Sequence, residues 1–151
     1  MRYLGLDIGD RTIGVAVSDP LFISAQGVGT IERVGNRKDT TKIIDLVKEY
    51  EVGLIVCGRP LMLSGEDSPQ TEKVREFVTL LENKLRSMGL NQVRVVLHDE
   101  RYTTKMAEDV LMLKGSSRGR GMDRKQRKEH VDRLAAQLIL QSYMDLQSNL
   151  L

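Results

Sequence analysis

The first eighteen residues constrain this fold more than any other stretch of the chain. Residues 2–8 (Arg2-Tyr3-Leu4-Gly5-Leu6-Asp7-Ile8) alternate as a strand does, and residues 12–18 (Thr12-Ile13-Gly14-Val15-Ala16-Val17-Ser18) do so again. Gly9-Asp10 between them is a turn signal, so the pair reads as a β-hairpin. A third strand is expected within 24–33. The period then changes. Ile43, Ile44, Val47 and Tyr50 have helical spacing, which predicts a helix over about 39–51 with Asn36 and Asp39 as candidate caps. Residues 53–57 form a short apolar strand that Gly58-Arg59-Pro60 stops, and a loop over 61–69 follows. Val74, Phe77, Val78, Leu81 and Leu85 predict a helix over 69–87, ended by Gly89. Residues 93–98 read as the last strand. Thr103 or Thr104 caps a helix that runs to 113, the Gly/Ser/Arg stretch 115–121 reads as a mobile loop, and a final helix is predicted over 124–147.

The predicted order is β-β-β-α-β-α-β-α-α. It implies an α/β fold with a mixed sheet of about five strands and helices on its faces. A chain of 151 residues suits a single domain, 1–151, and shows no internal repeat or linker. A domain of this size can bury roughly 70% of its unfolded surface without staples.

Composition removes several function classes. Aromatic residues make up 4% of the chain and Trp is absent, so a surface of base-stacking platforms is not expected. Cys57 is the only cysteine, which excludes an intrachain disulfide and suits a reducing compartment. It follows Leu54-Ile55-Val56 and reads as a small core residue of a buried strand; with two distant histidines it makes no zinc site. No apolar run nears the roughly 18 residues that span a bilayer. The opening Met1-Arg2-Tyr3-Leu4-Gly5 reaches Asp7 without an apolar signal segment. A cytoplasmic protein with no membrane partner is expected.

Charge is uneven along the chain. Residues 114–128 carry Lys114, Arg118, Arg120, Arg124, Lys125, Arg127 and Lys128 against Asp123 alone. That is a local charge of +6 in a chain of net charge +2, which leaves the remainder at −4. A flexible basic loop near 114–128 on a mildly acidic body suits phosphate contact beside a separate carboxylate cluster, although an isolated charge run is more commonly a solvated loop.

Three carboxylates are candidates for that cluster. Asp7 interrupts an apolar strand between Leu6 and Ile8, where a carboxylate is costly unless it is paired or binds metal; a turn or cap role is the commoner use of such an Asp. Gly9 beside it allows close approach of a ligand or backbone. The run His98-Asp99-Glu100-Arg101-Tyr102-Thr103-Thr104 follows a strand, and strand ends in α/β sheets are where ligands bind. Two carboxylates and two hydroxyls there can hold metal and phosphate, or serve as a helix cap. Either Asp99 or Glu100 supplies the ligand, depending on where the strand ends. Asp132 shares a helix face with Ala135, Ala136, Ile139 and Tyr143, and these small residues let the helix approach the sheet. A surface ion pair with Arg133 or Lys128 is its plainer role. Together the three make a hard-oxygen site for Mg²⁺ or Mn²⁺, of the kind that hydrolyses phosphodiesters. His98 and His130 lack an evident nucleophile partner, and there is no P-loop.

Four segments, in order, resemble the YqgF family of RuvX-type proteins. Leu6-Asp7-Ile8-Gly9-Asp10-Arg11-Thr12-Ile13-Gly14-Val15-Ala16-Val17-Ser18-Asp19 is similar to its opening motif, and Gly58-Arg59-Pro60 with Gly65 to its Gly-x-Pro loop. Asp99-Glu100-Arg101-Tyr102-Thr103-Thr104 with Ala107 is similar to its Asp-Glu-Arg-x-Thr-Thr motif, and Asp132 with Ala135-Ala136 and Ile139-Leu140-Gln141-Ser142-Tyr143 to its C-terminal helix. Arg59 departs from the family, which more often has an apolar residue there, and adds a positive charge near the expected cleft. The resemblance implies a ribonuclease-H-like fold. It also implies Asp7, Glu100 and Asp132 as catalytic, metal-binding carboxylates, and processing of the 5′ end of pre-16S ribosomal RNA.

On this reading Arg11 and Arg101 contact substrate phosphate, Thr103 and Thr104 bond the substrate backbone or cap the helix, and Arg118 and Arg120 in the basic loop add sequence-independent attraction. The expected partner is nucleic acid, with pre-ribosomal RNA preferred over branched DNA, and the expected state is a monomer or weak homodimer. Two rivals belong to other uses of the fold: a Holliday-junction-type DNA resolvase and a non-catalytic RNA-binding assembly factor. An Asp-x-Gly hairpin also opens actin-like ATPases and sugar kinases, but those need two such domains, and 151 residues are too few.

Overall fold

The computed structural model describes residues 1–62, 64–99 and 124–149, apart from the side chains of Lys125, Lys128 and Asn149. Its elements are β1 (Arg2–Ile8), β2 (Thr12–Ser18), β3 (Ala25–Glu32), α1 (Asn36–Glu49), β4 (Val52–Arg59), α2 (Pro69–Ser87), β5 (Arg94–Asp99) and α3 (Arg124–Asn149). The five strands form one sheet in the order β3-β2-β1-β4-β5. β1 pairs antiparallel with β2, and β2 with β3; β1 pairs parallel with β4, and β4 with β5. The mixed sheet is therefore as expected. The helix predicted at 103–113 and the loop at 115–121 lie outside the described residues. Residues 124–128, counted above with the basic loop, are the first residues of α3.

Alternation along the strands divides the core in two. Leu4, Leu6 and Ile8 of β1, Ile13, Val15 and Val17 of β2, and Ile55 and Cys57 of β4 face α1 and α2. There they meet Ile43, Ile44, Val47, Phe77, Leu81 and Leu85. On the other face Ala16, Leu54 and Val56 meet Ala136, Ile139, Leu140 and Met144 of α3. β4 is buried on both faces, which explains its unbroken apolar run and the fully buried Cys57.

The helix ends follow local chemistry. Ser68 caps α2 in a reciprocal capping box with Thr71, and Pro69 occupies the first turn. Gly89, at φ +74°, closes it: its amide bonds Arg86 O and that of Leu90 bonds Leu85 O. At α1 the expectation of a cap at Asn36 or Asp39 is corrected, because Gly35 is the N-cap and the helix begins at Asn36. Asp39 sits one turn inside and reaches back to accept from the amides of Val34 and Gly35 and from Arg33 Nε. Arg33 in turn donates to Gly9 O at 2.9 Å and lies 5.0 Å over the Phe77 ring, so it ties the β1–β2 turn to α1 and α2.

Candidate active site

β1, β4 and β5 are parallel, so their carboxyl ends lie along one edge of the sheet, together with the β1–β2 turn. Ligands bind at such edges in open α/β sheets. Asp7 is the penultimate residue of β1 and Asp99 the last of β5.

Alternation assigns Asp7 a face. Leu4, Leu6 and Ile8 face α1 and α2, whereas Tyr3 packs with the α3-side core and a Cβ on Gly5 would lie 2.8 Å from Leu140 Cβ. Asp7 shares the side of Tyr3 and Gly5, which is that of α3. Its cross-strand partner is Gly14. A Cβ on Gly14 would lie 2.1 Å from the carbonyl oxygen of Asp132, so the α3 backbone passes directly over this glycine. Gly14 is thus the point where Asp7, on the neighbouring strand, and Asp132, on the helix above, are brought together. The small residues expected to let α3 come close are Ala135 and Ala136, both fully buried, and the sheet answers them with Gly5, Gly14 and Ala16.

Asp132 is half-buried and oriented. Its Oδ2 accepts a short bond, 2.5 Å, from Thr12 Oγ1 at the start of β2. Thr12 was not singled out from sequence, because its partner lies 120 positions away. A signal was present in the sixth position of the Asp7-Ile8-Gly9-Asp10-Arg11-Thr12 turn, where a hydroxyl re-enters the sheet beside the first carboxylate. Gly9 serves the turn itself: its amide donates to Thr12 O at 2.9 Å, and a Cβ there would sit 3.0 Å from the same oxygen. Arg11 projects from this turn into solvent. Asp10 forms an exposed ion pair with Lys73 of α2 at 3.2 Å.

At β5 the register carries Asp99 to the other side. Val96 packs with the α3-side core and Val95 with the opposite one, so alternation puts Asp99 on the face of α1 and α2, away from that of Asp7. His98 lies on the α3 side, where its Nε2 is 3.0 Å from Ser142 Oγ and its ring packs edge-on to Tyr143 at 5.8 Å. Partial burial holds the His98 pKa below its ordinary value, opposed by the Asp99 carboxylate. Burial likewise pushes the Tyr143 hydroxyl above the usual phenol range. Glu100, Arg101, Thr103, Thr104, Arg118 and Arg120 lie outside the described residues. Among the described residues no three His, Cys, Asp or Glu side chains gather as a metal site. Asp7 and Asp132 are hard-oxygen donors that fit Mg²⁺ or Mn²⁺ as part of a larger set.

The chain has close relatives. Residues 1–146 match the profile of the RuvX family, described as Holliday junction resolvase. A Thermoanaerobacter pseudethanolicus protein named as a pre-16S rRNA nuclease is 44% identical over 149 residues, covering 99% of each chain. A Heliobacterium modesticaldum protein of the same name is 45% identical over 150 residues, covering 99% of this chain and 93% of its own. Among solved structures, Thermus thermophilus RuvC superposes with a TM-score of 0.56 at 13% identity, covering 96% of this chain and 97% of its own. The yeast mitochondrial Holliday junction resolvase does so with a TM-score of 0.59 at 14% identity, covering 98% and 79%. These two likenesses establish a ribonuclease-H-like fold of the RuvC type.

Proposed function

This chain belongs to the RuvX family, and on that premise we propose that it is a metal-dependent nuclease that hydrolyses phosphodiesters near the 5′ end of pre-16S ribosomal RNA in the cytoplasm. The observation that carries the reading is the meeting of Asp7 and Asp132 across Gly14 at the carboxyl edge of the sheet. Asp7, Asp132 and Glu100 are the residues that would hold Mg²⁺ or Mn²⁺. When bound, such an ion supplies activation of a water nucleophile and offsets charge on the leaving oxygen.

The chain's own groups do the rest. Asp7 comes from the central strand, which is paired on both sides, so its backbone is held firmly in the sheet. Thr12 restrains the Asp132 rotamer through its hydroxyl, which keeps one carboxylate oxygen oriented before substrate arrives. Arg11 and Arg101 bind substrate phosphate. Thr103 and Thr104 position the backbone, and Arg118 and Arg120 add attraction that weakens with salt.

The test is cleavage of an end-labelled small-subunit ribosomal RNA precursor with Mg²⁺, with Mn²⁺ and with EDTA, beside Asp7→Asn. Metal-dependent cutting near the mature 5′ end that falls by at least about 10³-fold in the variant is the expected result. Cleavage of branched DNA in place of RNA would move the assignment to a resolvase. RNA binding without cleavage, unaffected by the substitution, would leave an assembly factor.

A further inference from the structure

At the same carboxyl edge, on the side of α2, Asp67 divides its two oxygens between two arginines. Oδ1 accepts from Arg59 Nη2 at 3.0 Å and Oδ2 from Arg75 Nη1 at 2.6 Å. Arg75 also meets Glu72 at 3.0 Å. A carboxylate usually receives a guanidinium through two parallel bonds. Here Arg75 draws away the second oxygen, and Arg59 Nε is buried without a hydrogen-bond partner among the described residues. Asp67 is held below the usual carboxylate range, mainly by its bond from Arg75, and Arg75 is raised by the same bond. The three side chains are each more than a third exposed, so further donors of both guanidinia are open to a ligand.

This cluster is attached to the hairpin that carries Asp7. Gln70 Nε2 donates to Ile8 O at 3.4 Å, and Lys73 pairs with Asp10. Pro60 O receives the hydroxyls of Ser68 and Thr71, which pins the end of β4 to the start of α2. Arg59 closes β4, the strand beside β1, and the Leu6–Cys57 register puts it near the level of Asp7. A phosphodiester chain lying at Asp7 and continuing over the sheet edge toward α2 therefore meets Arg59 and Arg75.

We propose that Arg59 and Arg75, gathered on Asp67, form a phosphate-contact point for the RNA backbone, and that Asp67 competes with the phosphate and so sets its strength. This rests on the nuclease reading above for the class of ligand. Each guanidinium commits only part of its donor set to Asp67 and Glu72, and guanidinium binds phosphate through paired donors, so a phosphate can compete with these carboxylates for both arginines.

The experiment is binding of a fluorescent single-stranded RNA, read by anisotropy across a salt series in EDTA so that no cleavage intervenes. Arg59→Gln and Arg75→Gln should each weaken binding by roughly three- to ten-fold and reduce the salt slope by about 0.7, the loss of one phosphate contact. Asp67→Asn should tighten binding by roughly two- to five-fold, because a competing anion is removed. Arg86→Gln is the control: it changes net charge equally but lies about 16 Å further along α2, and its effect should be small. Thermal melts of all four variants separate loss of folding from loss of contact, and Arg75, on an exposed helix face, is the variant least able to disturb the core. Equal effects of Arg75→Gln and Arg86→Gln, or weaker binding by a folded Asp67→Asn, would overturn the proposal and leave Asp67 a loop staple. Cleavage is read separately, so a variant series that binds alike while wild type still cuts RNA refutes the contact point and not the nuclease.

Discussion

The two faces of the sheet are built to different rules. Toward α1 and α2 the core is large and aliphatic, with Leu4, Leu6, Ile13, Ile43, Ile44, Phe77, Leu81 and Leu85 all essentially inaccessible. Toward α3, Leu54 and Val56 still meet Ile139, Leu140 and Met144, but the rest of the contact is made by Gly5, Gly14 and Ala16 with Ala135 and Ala136, and at Gly5 and Gly14 the helix backbone comes down onto the strands. The first face removes more apolar area from water, and stability grows with that area. The second gives up side-chain volume for proximity, and Asp7 and Asp132 belong to it. The carboxylates are held where the packing is close but not bulky, with α1 and α2 supplying the rigid backing.

The largest loss of stability should come from the aliphatic face. Phe77→Ala removes a fully buried ring beneath the Arg33 guanidinium and should cost about 3–5 kcal/mol in urea unfolding. Cleavage by the fraction that remains folded should be little changed. Gly14→Ala reverses the pattern. Its new methyl would meet the Asp132 carbonyl, a backbone atom that cannot swing aside, so a cost of about 1–3 kcal/mol is expected with a larger fall in cleavage than Phe77→Ala causes. If Gly14→Ala lost stability but kept full cleavage, the division of labour between the faces would be wrong.

Thr12→Val tests the same division on a single bond. It keeps the shape of the side chain and deletes the donor to Asp132 Oδ2. The expected cost is about 1 kcal/mol by denaturant titration, with reduced cleavage that Thr12→Ser restores.

The smallest effect is expected at the far end of the α3 face, and only in acid. Asp19 accepts from the amides of Leu21, Ile23 and Ser24 and so organises the loop whose Phe22 stacks on Tyr3 at 4.2 Å. Those bonds, that of Ser24 foremost, hold the Asp19 pKa below its ordinary 3.8. In the pH range just under 3.8 the unfolded chain binds a proton that the folded one does not. The contribution is therefore complete above that range and is lost as pH falls through the folded value. Unfolding midpoints between pH 3 and 7 should show a shallower acid decline in Asp19→Asn than in wild type.

Local features accounted for most of the fold. The hairpin followed from two alternating segments around Gly9-Asp10, β4 from its apolar run, and α2 from helical spacing over 69–87 ended by Gly89. The start of α1 was misread because Asp39 resembles a cap; it reaches back from inside the helix while Gly35, with φ +144°, makes the turn. The candidate site was legible only in part. Asp7 betrayed itself as a charge in an apolar strand, and Asp132 by sharing a helix face with two alanines. Arg59 was visible as an added charge, but its division of Asp67 with Arg75 was not, since that depends on how the 61–69 loop folds back to meet α2.

Taken alone, the chain's order of periods determined the elements of the described residues and the mixed sheet, because alternation, helical spacing and turn residues act over a few neighbouring positions. It also determined which carboxylates stood in unusual company. Tertiary structure alone decided that Gly14 would be the meeting point of Asp7 and Asp132, that Thr12 would hold Asp132, and that Asp99 would turn toward α1 and α2. Those outcomes depend on strand register and on how closely α3 approaches the sheet. The approach of α3 is set by packing between residues more than a hundred positions apart, and the register of β5 on β4 joins residues such as Leu54 and Arg94, so no local pattern encodes either.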